Sequence, residues 1–594
     1  MSLLLPGEVE AEGRQCTLVV DALPCVWFTP VMVSMQTSSG PSDAQHGLVS
    51  RRSVLRAALL SSAFIAAPAL LAACAPPTTT VATNKIFRVG WKSDIDTLNP
   101  LTTVTTEAVE VQSLIYDTLM AYGLDLKPEP SLAASTVAAG ATITYTLRDG
   151  VTWHDGTAFT SDDVVYTFDL IAKNALGVNA QYFSDYVSAA APDAKTVVVT
   201  FKRPQAFDPG LVVPIMPKHI WSSQSVDQIQ KAANDKPIGT GPFTFKERKQ
   251  GQSVSVTRNE KWWGDKPAAA GASWTVYTND DLMAQALKNG EIDIIPQVPP
   301  TVFTGLQGET TLTSESLDSF SFHHIGINLS QVPGSKGNPL LLDKGVRQAL
   351  GYALDRKQIA EIAYAGFASP GGSILTPSLG DFYYEPTGDA VIDNNPEKAN
   401  ALLDAAGYTA KDGDGIRQTK DGKPLAFRII AISTTSTDVR TAQLFQATAA
   451  KVGIKLDFAT VDSDTMASTV YNVEAPDWDI FVWGWDSGVN DPCYLLGVPL
   501  TSQIGGNNDV FYSNPAYDAL YDQQATELDH AKRVAIVMQM QQMFYEDCGY
   551  LVAVYIKKLQ SYGNAGWANL TAVPGGIIFN FTRDNYLKAT PAGS

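Results

Sequence analysis

Hydrophobic and polar positions change period several times along this chain. From 142 to 153 they alternate, with Ile143, Tyr145 and Leu147 on one side and Thr142, Thr144, Thr146 and Arg148 on the other. That is the period of a strand with one buried face. Residues 87–91 read as an earlier strand, followed by a loop over 92–100. Asp149-Gly150 offers the positive φ of a tight hairpin turn. The period then lengthens. Ser161 is expected to cap a helix with Asp162 and Asp163 in its first turn and Val164, Phe168 and Ile171 on one face. Val346, Ala349, Leu350 and Ala353 mark another helical face, and Asp355-x-x-Gln358 opens a helix that Gly366 stops. Asn395-Pro396 begins a further helix, with Ala399, Leu402 and Leu403 inward and an end at Ala406-Gly407. A loop rich in Asp and Gly over 411–423 precedes a strand over 425–432. Strands alternating with helices predict α/β layers. No internal repeat is visible.

Length and composition narrow the class. With 594 residues the chain is too long for one ordinary core, so two or more lobes are expected. Apolar residues make up 45% and charged residues 18%, which is globular composition. The net charge of −18, with no concentration of Lys or Arg, argues against nucleic acid as a partner. Five cysteines include no CxxC pair, and six scattered histidines give no metal motif. Asp412-Gly-Asp414-Gly resembles part of a calcium loop, but it lacks the EF-hand spacing and its bidentate Glu, so a solvated turn is expected. His323-His324 falls on an apolar strand, where neighbours point to opposite faces and cannot readily share one ion.

The N-terminal region carries the most specific local signal. Ser50-Arg51-Arg52-Ser53-Val54-Leu55-Arg56 resembles a twin-arginine export signal, and 57–73 is small or apolar apart from Ser61 and Ser62. It ends in Leu71-Ala72-Ala73-Cys74, which resembles a lipobox, where the Cys is lipidated and the leader is cut before it. Residues 1–34 carry acidic residues and no basic start, so Met35 is read as the start of translation. Residues 1–73 are therefore expected to be leader, and 74–84 the lipidated Cys and its tether. In an oxidising compartment Cys493 and Cys548 either pair or remain as two buried thiols.

Catalytic signatures are missing: the chain has no GxSxG, no HExxH and no GxxxxGK[ST]. Gly239-Thr240-Gly241 runs into Pro242 without the third glycine of a dinucleotide loop.

Several segments together resemble the family 5 extracellular solute-binding proteins of ABC importers. They are Asp96-Thr97-Leu98-Asn99-Pro100, Tyr145-Thr-Leu-Arg-Asp-Gly-Val-Thr-Trp-His-Asp-Gly156, and Ser161-Asp-Asp-Val-Val-Tyr-Thr-Phe168. Further on come Gly239-Thr-Gly-Pro-Phe243, Asn259-Glu-Lys-Trp-Trp263, Val346-Arg-Gln-Ala-Leu350 with Asp355-Arg356, and the stretch from Ala399 to Tyr408 with Asp412-Gly-Asp-Gly-Ile-Arg417. The resemblance implies an α/β, bilobal periplasmic-binding-protein-like fold of type II, with an extra subdomain in the first lobe and a two-crossing hinge. It places lobe I at 85–324 plus 552–594 and lobe II at 325–551, with crossings near His324-Ile325 and Tyr550-Leu551. It implies no enzyme activity and no cofactor or metal.

The same resemblance implies a monomer outside the cytoplasm, anchored to the membrane by lipid on Cys74. There it delivers a peptide or other small solute to an ABC permease with its cytoplasmic ATPases. In peptide-binding members an Asp after a Trp-x-x motif pairs with the ligand ammonium, and Trp483-Gly484-Trp485-Asp486 carries that pattern. Five more residues, 487–491, separate it from the next Pro. Arg440, ahead of Lys451-Val-Gly-Ile454, stands where dipeptide binders hold the ligand carboxylate. Trp483, Trp485 and Trp91 are candidates for stacking on the solute. An oligosaccharide is the alternative solute, a nickel complex a weaker one, and an exported hydrolase the alternative from another class.

Overall fold

The computed structural model describes residues 84–593 except 104, 488, 489, 580 and 581. The expected leader with Met35, the expected lipidation site Cys74 and the expected tether as far as 83 lie outside the described residues. An eleven-stranded mixed sheet forms the frame. From one edge its order is Lys455–Val461, Ala426–Ile432, Ile480–Asp486, Leu312–Ile327, Tyr550–Gly563, Ile294–Ile295, Ile86–Trp91, Gly271–Val276, Ser253–Arg258 and Phe243–Lys249. The short strand Ala368–Pro370 joins along Tyr550–Gly563.

Two of these strands are long, Leu312–Ile327 and Tyr550–Gly563, and they run antiparallel beside each other through the middle. Their pairing is regular from Leu312↔Gly563 to Asp318↔Lys557, breaks, and resumes at Phe322↔Tyr555. The break coincides with a change of core. Leu312 and Leu559 pack in a small cluster with Met283, Phe303 and Leu306. Phe320 to Ile327 and Tyr550 to Tyr555 belong to the largest cluster, together with Leu350, Phe445 and Phe481. A third cluster gathers Phe87, Val89, Trp274, Tyr145 and Phe168. The chain is therefore bilobal and mixed α/β, as the alternation of elements predicted, with both halves sharing one sheet.

The expected elements form for the expected reasons. Ile143, Tyr145 and Leu147 are buried along Thr142–Leu147, in a separate four-stranded antiparallel sheet that packs against the third cluster. Gly150 does take a positive φ of 71°, but the turn does not fold a partner strand back onto Thr142–Leu147, which pairs with Ala133–Ala139 and Thr196–Phe201. The hairpin lies on the other side, through Gly140 at φ 57°, because Ala133–Ala139 is the partner strand. After Gly150 the chain turns inward instead, where Trp153 is buried against Phe159.

The helix Ser161–Asn174 is capped one residue earlier than expected. Thr160 is the cap, its N–H donating to the Asp163 carboxylate at 3.0 Å. Ser161 is engaged elsewhere, donating its hydroxyl to the Asp193 carbonyl at 2.5 Å. Asp355 caps Arg356–Ile362 by accepting the Gln358 N–H at 2.8 Å, and Gly366 ends that segment at φ 81°. Asn395 caps Pro396–Ala405, burying Ala399 and Leu403 fully and Leu402 in part. Asp412 accepts the N–H groups of Asp414 and Ile416, so its loop is a self-closed turn. Cys493 and Cys548 are both free thiols, and burial pushes the Cys548 thiol up to about 12.

Candidate functional site

A cavity of about 1690 Å³ opens between the cores. This exceeds the usual range for a small-ligand pocket. One wall includes Trp91, Glu107, Glu110 and Trp263; the other includes Ser321, His323, Tyr364 and Asp486. Lys557 and Lys558, just past the break in strand pairing, also line it.

The Trp483-Gly-Trp-Asp486 segment shows how a strand's period of two builds the site. It ends the strand Ile480–Asp486, which pairs antiparallel with Leu312–Ile327 so that Asp486 sits opposite Ser321. Trp483 and Trp485, two apart, share one face. Both indoles donate to one oxygen of Asp509, at 2.9 and 3.1 Å, while the Tyr550 hydroxyl donates to the other. Asp509 is fully buried, and burial pushes its carboxyl up to about 7 against those three hydrogen bonds. Gly484 faces the other way. A Cβ there would collide with the His323 ring, which lies over it and bonds to Asp438 at 2.5 Å. Asp486 is last, open to the cleft, with the Ser321 hydroxyl donating to its carboxylate. Crowding by the cleft walls raises its carboxyl, opposed by Ser321 and by the charge of Lys558.

The structure brings only some of the expected residues together. Asp486 and Trp91 line the cavity; Trp91 stacks on Trp274 at 5.3 Å and is otherwise part of the core. Trp483 and Trp485 are turned toward Asp509 and are not among the lining residues. Arg440 is exposed on the helix Ser436–Lys451, reaches Gln443 at 3.4 Å, and does not line the cavity. Two positions along a helix are about 200° apart. Asp438 turns inward to His323, so Arg440 turns outward.

Sequence reasoning passed over Glu107, Glu110, His323 and Lys558 as parts of the site. Their signal was present: each is a charged or titratable group interrupting an otherwise apolar segment. Glu110 is buried, accepts from the Trp274 indole at 2.7 Å and from the Tyr586 hydroxyl, and is pushed up to about 7 by burial. Burial lowers the Lys558 ammonium, opposed by the negative charges of Asp486, Glu110 and Glu107. The two adjacent histidines do point to opposite faces. His324 is fully buried behind the cleft, stacked on Tyr550 at 3.8 Å.

Comparison with known proteins agrees with this architecture. The family model described as bacterial extracellular solute-binding proteins, family 5 Middle, matches residues 127–507. Protein XP55 of Streptomyces lividans is 29% identical over 502 residues, covering 81% of this chain and 85% of its own. The oligopeptide-binding protein AppA of Bacillus subtilis is 26% identical over 468 residues, covering 77% and 83%. The structure of AppA in complex with a nonapeptide superposes with a TM-score of 0.70 at 24% identity, over 86% of this chain and 100% of that one. NikZ from Campylobacter jejuni, in complex with Ni(L-His), gives 0.70 at 22% identity over 85% and 99%. Members of this family work outside the cytoplasm, and among the described residues no helix is long and apolar enough to cross a membrane. With the family match spanning most of both cores, the chain belongs to the family 5 extracellular solute-binding proteins of ABC importers.

Proposed function

We propose that this chain captures peptides in the cleft and hands them to an ABC permease, while lipid on Cys74 holds it at the outer face of the membrane. The observation that carries the solute reading is Asp486. Its carboxylate faces a large, partly aromatic cleft with Ser321 as its hydrogen-bond donor. In a closing, drying cleft such a carboxylate is unfavourable alone and favourable with an ammonium. The relative AppA, which binds a nonapeptide, supports the reading. The sugar alternative is weaker, since Trp483 and Trp485 turn their indoles to Asp509.

In this reading the lobes close about the irregular pairing at 319–321 opposite Ile556, a few residues from the crossings expected near His324-Ile325 and Tyr550-Leu551. Lobe I is 85–324 with 552–594 and lobe II 325–551, to within those few residues. Closure requires only that the solute bind the closed form better than the open one. The protein acts as a monomer.

Calorimetry with di- to nonapeptides tests the solute. Asp486→Ala weakens binding by about 2–5 kcal/mol, because the ligand ammonium is left buried and unpaired. Unchanged affinity in that variant defeats the role. For the anchor, Cys74→Ser moves the protein from the membrane fraction to the soluble fraction, since the acyl chains hold it there. An unsubstituted chain found free of lipid by mass spectrometry would end that part of the proposal.

A further inference from the structure

We propose that Lys558 is a second solute-contacting residue, and that it takes a carboxylate of the same molecule whose ammonium is held by Asp486. The inference rests on the peptide reading and narrows it to zwitterionic peptides.

Asp486 and Lys558 line one cavity from the two strands that flank Leu312–Ile327. Asp486 lies opposite Ser321 and Lys558 opposite Leu317, four residues along the same strand. With neighbouring strands about 4.8 Å apart and a rise of about 3.3 Å per residue, the two backbones are roughly 16 Å from each other. The charges thus face the same space without being adjacent in the sheet. Lys557 next door is paired with Asp318. Lys558 has no ion pair among the described residues; its ammonium reaches the Gln297 amide oxygen at 3.4 Å, the outer edge of a hydrogen bond.

The carboxylates around Lys558 favour its charged form without pairing it. Glu110 already accepts from Trp274 and Tyr586. Asp486 accepts from Ser321. Glu107 stands on the same wall of the cavity. Burial lowers the ammonium, and these three negative charges oppose that. When the cleft closes and loses water, an ammonium held only by distant charges is unfavourable unless the solute brings an acceptor. A carboxylate is the acceptor that balances a cation already required at Asp486. Its source is either the peptide C-terminus or an acidic side chain.

The test uses the full chain and random di- to nonapeptide libraries of three kinds: free acid, C-terminally amidated, and amidated without Asp or Glu. Peptides retained through dialysis are identified by mass spectrometry, and the best are measured by calorimetry. Lys558→Met is expected to lower affinity for carboxylate-bearing peptides by about 30-fold, a loss of ~2 kcal/mol. Affinity for the third library should hold within about threefold. Loss that disappears on amidation assigns the C-terminus; loss that disappears only without Asp and Glu assigns a side chain. Lys558→Arg, which keeps the charge, should retain the discrimination, and melting curves report whether each variant is folded. Affinity of Lys558→Met for carboxylate-bearing peptides equal to that of the unsubstituted chain overturns the proposal and leaves the peptide reading standing. Tighter binding of the third library by that variant also overturns it, because Lys558 would then be an internal counter-ion competing with the solute. Retention of no peptide by the unsubstituted chain fells the peptide reading, and this proposal with it.

Discussion

Asp509 is a buried carboxylate holding two indole N–H groups and a phenol, and through Trp485 it lies one residue from the cleft carboxylate. Its carboxyl is raised from an ordinary 3.8 to about 7. The folded state therefore binds this proton more tightly than the unfolded chain. Stability from this group is full below about pH 4 and is lost as pH rises through about 7. Asp509→Asn removes the titration. Its amide oxygen can accept both indoles, and its NH₂ can donate to the Tyr550 oxygen, so the geometry survives. Relative to the unsubstituted chain, the Asn variant should gain stability between pH 4 and 7 and keep a constant advantage above. Urea unfolding at each pH reads this, and a difference independent of pH would refute it. The Trp-x-Trp-Asp motif marked this region in the sequence. Nothing in it showed that both indoles face away from the cleft, because their acceptor lies more than twenty residues downstream.

At the scale of elements, local chemistry and close packing act together. Caps at Asp355 and Asn395 were legible because a side chain three residues from its N–H partner needs no tertiary context. Gly239-Thr-Gly241 is different. A Cβ at Gly239 would run into the Ile115 carbonyl oxygen at the end of the helix Thr106–Ile115, and one at Gly241 would meet the Leu114 and Ile115 carbonyls. The Gly241 N–H donates to that same Ile115 oxygen at 2.9 Å. These glycines thus serve a backbone-to-backbone approach. Gly239→Ala is expected to destabilise the chain by ~1–3 kcal/mol, as overpacking does, or more if the backbone cannot shift. Denaturant unfolding measures it; a change below about 0.5 kcal/mol, the range of an ordinary surface substitution, would count against the tight contact.

Across the whole molecule, two long strands belong to both halves, and the cavity lies where their pairing breaks. Solute that bridges Asp486 and the opposite wall should draw the lobes together. Small-angle scattering should then show a smaller radius of gyration with a retained peptide than without it, and no change would exclude closure. The same peptide at 100 times its Kd should stabilise the folded state by about 2.7 kcal/mol, read as a rise in melting temperature. The α/β alternation and the two-lobed size were evident from length and periodicity. The position of the break was not, since an interrupted ladder leaves no mark on the apolar pattern of either strand.

By itself the sequence determined the helices Arg356–Ile362 and Pro396–Ala405 with their caps, the alternating strand Thr142–Leu147, and a motif that puts a carboxylate at a strand end. These depend on neighbours within a few residues, so periodicity and side-chain chemistry suffice. Tertiary structure alone decided which charges meet. Arg440 turned outward because Asp438 took the inner face of its helix. Lys558, Glu107 and Asp486 came to one cavity because strands and a helix hundreds of residues apart converge there. Electrostatics in a cleft is set by distance and burial, and both arise only once the chain has folded.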